Sequence, residues 1–231
     1  MQGLMKCFSF FLLYCITTFL VIPPVAKYFG RLQLPLSNTG NVKPLNFLTC
    51  LLNRNYVTPE LKTAIFEVAE EMNRKYPGTV VNYLDANFPF IKGFSLLPHL
   101  SHNDGKKSDI SFSYTDNKTG MQTNECPSFI GYGICEEPTA NEQQMTAICK
   151  GKGYWQYDLL RSITPQNNKA DFLFDAGRTK LLIQLFANKK SVEKIFIEPH
   201  LKIRMKLNND KIRFQGCHAV RHDDHIHIQV K

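Results

Sequence analysis

The sequence predicts an α+β fold with a central, mainly antiparallel sheet and flanking helices. Three features of the chain point there. Residues 59–76 (PELKTAIFEVAEEMNRKY) place Leu61, Ile65, Val68, Ala69 and Met72 at helical spacing. DISFSY (109–114) and HIHIQV (225–230) instead alternate with a period of two, as strands with one buried face do. Helix-like and strand-like runs follow one another without a βαβ rhythm, which disfavours a parallel sheet.

In chain order, the first element is CFSFFLLYCITTFLVI (7–22), sixteen uncharged residues between Lys6 and Lys27. Residues 1–26 read as an export signal or a membrane anchor, with Pro23 and Pro24 ending the helix. Residues 27–45, with Pro35, Gly40 and Pro44 among polar side chains, read as a linker, and 46–231 as the folded domain. Thr58 is a good N-cap, Pro59 suits the first helical position, and Pro77-Gly78 stops the helix. TVVNYL (79–84) reads as a strand and the stretch to Leu97 as a loop. Residues 115–153 are polar and irregular, an inserted loop or lid. The second half of 172–187 is helical, and VEKIFI (192–197) is a strand. LKIRMKL (201–207) suits either state, and IRFQGC and HIHIQV are two short strands.

Composition excludes more than it selects. With 43% hydrophobic and 21% charged residues, the chain is no disordered segment. Lys and Arg exceed Asp and Glu by 28 to 20, a net charge of +8, which attracts anionic partners. The positive charge is scattered and not interleaved with aromatics, and the export segment opposes a nucleic-acid partner. Five cysteines lie outside the apolar segment: Cys50, Cys126, Cys135, Cys149 and Cys217. An oxidising compartment allows up to two disulfides among them, and a pair within 126–149 would pin that loop. No C-x-x-C argues for a zinc knuckle.

The histidines carry the chemistry. Of seven, four (His218, His222, His225, His227) fall in the last fourteen residues. On a strand, His225 and His227 share one face, while Ile226, Ile228 and Val230 anchor the other. Upstream, His102 precedes the turn Asn103-Asp104-Gly105, which folds it back toward Asp109 at the start of a strand. His102, Asp109 and one histidine of the H-x-H pair would form a His₂Asp site with a fourth position left for water. Zinc is the default ion for such a set. The remaining histidine of the pair would then act as general base or stabilise the oxyanion. His200 and His218 match no pattern and read as surface or loop residues. Asp223 and Asp224 suit either orienting a histidine or a solvated turn. Asp104 is a turn residue, and Glu136-Glu137 has no partner at a meaningful spacing.

H-x₆-D followed far downstream by H-x-H resembles the LAS-type zinc peptidases, which include lysostaphin-type enzymes and D-Ala-D-Ala metallopeptidases. Within that group, H-x-x-H-x₆-D (His99, His102, Asp109) and H-x-x-H-x-H (His222, His225, His227) are similar to the penicillin-insensitive murein endopeptidase branch. KIFIEPHLK (194–202) also looks like the stretch before that branch's second motif. The likeness spans roughly 95–114 and 172–230, about a third of the chain. It implies a LAS/hedgehog-peptidase-like fold. It implies zinc ligands His102, Asp109 and His227, with His99 as a further candidate, and catalytic His225 and His222. It also implies hydrolysis of peptide bonds in peptidoglycan cross-links or stems by a zinc-bound water. An exported, periplasmic or extracellular location follows, with the membrane as partner through 7–22 if that segment is retained. The alternative is a zinc-containing cell-wall or partner-binding module without activity. The chain departs from the pattern in two places. FSLLP (94–98) replaces a Gly-rich run before the first motif, and 115–153 has no alignable counterpart.

Overall fold

The computed structural model describes residues 2–94, 96, 97 and 100–231. Gln2–Ile16 (α1) runs through a π-helical turn, Thr17–Val21, into Ile22–Tyr28 (α2). Short strands Leu32–Gln33 (β1) and Val42–Pro44 (β2), the helical turn Leu48–Leu51 (α3) and Tyr56–Val57 (β3) follow. Then come Pro59–Lys75 (α4), Val81–Tyr83 (β4), Lys107–Ser111 (β5), Tyr114–Asp116 (β6) and Gln122–Thr123 (β7). The last part holds Met145–Gly151 (α5), Leu159–Ile163 (α6), Phe172–Phe174 (β8), Ala176–Asn188 (α7), Val192–Phe196 (β9), Pro199–Arg204 (α8), Ile212–Arg213 (β10) and His225–Val230 (β11). The architecture is α+β, with flanking helices and a mixed central sheet.

The central sheet runs in the order β10-β9-β11-β5-β4-β2. Its four middle strands pair antiparallel, and its two outermost strands, β10 and β2, join parallel. α4 and α7 cover one face. Their Leu61, Ile65, Val68, Met72, Leu182 and Phe186 pack on Ile110, Ile226 and Ile228, all buried in one core. Each such aliphatic side chain taken fully out of water contributes about 1.5–3 kcal/mol. The Thr58 hydroxyl caps α4 by accepting from Leu61 N–H, with Pro59 in the first turn, as the sequence suggests. A three-stranded sheet (β7-β6-β8) and the β1-β3 pair complete the strands described.

Several expectations are corrected. Pro23 and Pro24 do not end the apolar helix: they lie at the start of α2, where a missing N–H costs nothing, and the π turn before them takes up the offset. Residues 27–45 are not a linker. Leu34 and Val42 are buried, β2 pairs with β4, and the Arg31 guanidinium donates to the Asp104 carbonyl. A proline-containing strand is tolerated there because β2 is an edge. The 109–114 strand is two elements, for the chain leaves the central sheet after Ser111 and pairs again as β6 in the second sheet. Residues 201–207 are helical only to Arg204, and IRFQGC contributes only Ile212–Arg213 to the sheet.

The cysteine expectation also changes. Cys149 bonds Cys217, 68 residues away, rather than a neighbour within its own loop. α5 is thereby tied to the segment before β11. Cys126 and Cys135 are thiols, and Cys50 is buried beside the Tyr83 hydroxyl.

Candidate metal centre

Sheet register places two of the expected ligands side by side. His227 on β11 lies directly opposite Asp109 on β5, so both side chains leave the same face. Ile226 and Ile110 face each other on the opposite, core side. β11 lies between β5 and β9, and β11 and β5 are the two middle strands of the sheet.

His102 arrives from the turn before β5. Gly105 holds φ +82°, and a Cβ there would collide with the Arg31 guanidinium. The positive φ is what favours glycine at this position, for a side chain there would be strained whatever the space. The Asn87 side chain accepts from Gly105 N–H, and Gly105 C=O accepts from Thr58 N–H. His102 Nδ1 donates to the Ala86 carbonyl at 2.9 Å. With that nitrogen protonated, Nε2 is the ring atom that would turn a lone pair into the cluster on binding a metal.

Three electron-pair donors converge. His102 Nε2 lies 3.0 Å from His227 Nδ1 and 3.3 Å from Asp109 Oδ1, and His227 Nδ1 lies 2.9 Å from the same oxygen. A tetrahedral ion with bonds of about 2.0–2.1 Å separates its ligands by about 3.3 Å. The triangle is therefore close to one face of such a site. All three residues are 2% exposed or less. His102, Asp109 and His227 thus form a buried group that can hold a metal ion.

The surroundings tune these groups. Burial pulls His227 down to about 4, more than the adjacent Asp109 restores, so the ring is neutral at neutral pH. Burial also opposes the charged form of His102 and His225. Asp109 more than offsets it for His102, and Asp224 with Asp109 does so for His225, so both lie above the usual histidine value. The other oxygen of Asp109 accepts from the Tyr132 hydroxyl at 2.9 Å. Burial, then the Asp109 charge, keep that phenol protonated and so a donor.

His225 and His222 stand beside the cluster. His225 Nε2 is 3.8 Å from Asp109 Oδ2. The His222 ring is 4.9 Å from that of His225 and 5.9 Å from that of His227. The Asp224 carboxylate accepts from His225 Nδ1 and, through its other oxygen, from Gly133 N–H. The expected catalytic pair is thus assembled with the three metal-ligand candidates. His99 lies outside the described residues.

Of the two readings open for the acidic pair, the histidine-orienting one holds for Asp224, and neither residue is a solvated turn, both being buried. Asp224 holds His225, and Asp223 is buried against Arg221. His200 is corrected from a surface residue to a buried one, its Nε2 2.7 Å from the Glu136 carbonyl, because the first turn of α8 faces that loop. His218 is exposed, as expected. Glu137 does have partners, Arg221 at 2.7 Å and Arg161 at 3.2 Å. They are 84 and 24 residues away, so no local spacing shows them.

Sequence reasoning missed Tyr132 and the Arg54–Asp85 ion pair. Tyr132 sits in the loop expected only as an insert, between Gly131 and Gly133, and those glycines were its sole signal. Arg54 engages both oxygens of Asp85, whose charge raises His102, and also donates to the Leu97 carbonyl.

No protein-family model and no curated protein matches the chain. The helical run Gln2–Tyr28 is long and apolar enough to cross a membrane, a property shared by signal sequences and anchors.

Proposed function

We propose that this chain is a zinc metallopeptidase of the LAS type, similar to the penicillin-insensitive murein endopeptidases, acting on peptide bonds of peptidoglycan cross-links or stems outside the cytoplasm. The observation that carries the reading is the convergence of His102 Nε2, Asp109 Oδ1 and His227 Nδ1 within 3.3 Å of one another, with His225 beside them.

The donor set fits zinc. Two neutral imidazole nitrogens and one carboxylate are the N and O ligands it takes, and three protein ligands are the catalytic complement. When bound, the ion polarises a carbonyl and acidifies water. The protein's own groups do the rest. Asp224 fixes the His225 tautomer by taking Nδ1–H, so His225 Nε2 is the atom that accepts and returns a proton. Tyr132 holds one Asp109 oxygen and leaves the other turned to the histidines. His222 stands near enough to His225 to steady developing negative charge on a carbonyl oxygen. A purely structural or wall-binding module would have no need of the Asp224–His225 dyad, which favours turnover over binding alone.

The test is mass spectrometry of muropeptides digested by the purified protein, with His227→Ala and chelator-treated protein as controls. Cleavage by wild type alone supports the reading. Equal digestion by His227→Ala, or none by zinc-loaded wild type, sinks it.

A further inference from the structure

A cleft of about 440 Å³ ends on His222 and His227. Its walls carry Leu97, Leu100, Leu159, Leu160, Ala219 and Val220. The polar groups among them are Ser101, Gln156, Gln215 and the imidazole of His218. Among the described residues that line it, none is Lys, Arg, Asp or Glu, in a chain where such residues make up 21%. The volume suits a short peptide segment, since ligand sites run from about 300 to 1,000 Å³.

Two further observations make this a built site. His227 Nε2 is buried with no hydrogen-bond partner among the described residues, and His227 borders the cleft. With Nδ1 given to a metal ion, Nε2 would carry the N–H, a donor that an entering peptide carbonyl can satisfy. The walls are also held in place. Gln215–Val220 flank Cys217, whose bond to Cys149 ties them to α5, and Leu159 and Leu160 begin α6 a few residues beyond α5.

We infer that this cleft is a specificity subsite for an uncharged, apolar residue next to the scissile bond, with the charged groups of the substrate held outside it. The inference rests on the peptidase reading for the words "scissile bond" only. An ammonium or carboxylate inside the cleft would leave water without an opposite charge to meet it, a heavy penalty. A leucine-sized side chain gains on entry by leaving water. Ser101, Gln156 and Gln215 supply neutral donors and acceptors for the accompanying backbone.

The experiment uses zinc-loaded full-length protein and matched peptides that carry Leu, Ala, Lys or Glu on either side of the cleaved bond. Both kcat/KM and calorimetric affinity are measured. The expected result is at least a tenfold preference for Leu over Lys and Glu at one position, in both measurements. Leu160→Glu should weaken the Leu peptide and improve the Lys peptide, with the zinc-dependent melting shift retained. Val220→Asp, at another lining residue, serves the same purpose should Leu160→Glu fail to fold. Cleavage of all four peptides within threefold overturns the inference and leaves the peptidase reading intact. Selective binding of the Leu peptide with no cleavage of any leaves the subsite standing and removes the peptidase reading. Equal binding of all four by both variants and wild type overturns the subsite as well.

Discussion

Removing the Asp109 carboxylate should abolish a zinc-dependent rise in melting temperature. Asp109 supplies the only negative charge among the three converging donors, and its Oδ1 touches both imidazole nitrogens within 3.3 Å. The donors stand at ligand spacing already, so binding carries little rearrangement cost. At a free zinc concentration 100-fold above Kd, selective binding to the folded state stabilises it by about 2.7 kcal/mol. For a chain of this size each kcal/mol moves Tm by about 2–4 °C, so the shift should be about 5–10 °C. Differential scanning fluorimetry of chelator-stripped protein, with and without zinc, reads it directly. Asp109→Ala and His227→Ala should fold yet show shifts below about 1 °C. The reasoning is refuted if stripped and zinc-loaded wild type melt together, or if Asp109→Ala keeps the full shift.

Other expectations follow from neighbouring groups. Asp224→Asn should reduce turnover of a cleavable muropeptide by about 10–100-fold while keeping the zinc-induced melting shift, because it loosens His225 and not the ligands. Breaking the 68-residue link by Cys149→Ala with Cys217→Ala should cost about 4 kcal/mol from restored chain entropy, read by urea unfolding against wild type with and without reductant. Glu198 is buried, accepts from Tyr157 OH and His222 N–H, and is pushed up to about 7, first by burial and then by Asp223. A carboxyl whose folded value lies above its unfolded value of 4.5 favours the fold when protonated. Its contribution is therefore full below pH 4.5 and is lost as pH rises through about 7, on the order of 3 kcal/mol. Glu198→Gln should flatten the stability profile between pH 4.5 and 7, and an unchanged slope in that variant would show that another group sets it.

Much of the site was legible because its spacing is local. H-x-H on a strand obliges His225 and His227 to share a face, and Gly105 between His102 and Asp109 announces the turn that folds one toward the other. α4 was equally plain, since its cap and apolar stripe lie within one stretch of chain. What failed was non-local. Prolines 23 and 24 break a helix in general, but not at the start of a new one after a π turn. The segment 27–45 looks like a linker by composition, and only its pairing with β4 and β3 makes it part of the domain. His200 carries no motif, and its burial depends on where α8 meets the 132–137 loop.

The sequence by itself determined the α+β class, the strand carrying His225 and His227, and His102 and Asp109 as candidate donors beside one histidine of that pair, because each rests on a periodicity or spacing within a few residues; the choice of His227 within the pair came from the family resemblance. Tertiary structure alone decided that Asp109 stands opposite His227, that Tyr132 holds Asp109, that Asp224 holds His225, and that Cys149 finds Cys217. It also decided that a cleft without Lys, Arg, Asp or Glu among its described lining residues ends on the cluster. The physical reason is that cross-strand register, burial and side-chain direction are properties of packed surfaces: Tyr132–Asp109, Cys149–Cys217 and Asp109–His227 lie 23, 68 and 118 positions apart with no pattern along the chain to announce their meeting, and for the adjacent Asp224 and His225 only the fold sets which way the carboxylate turns.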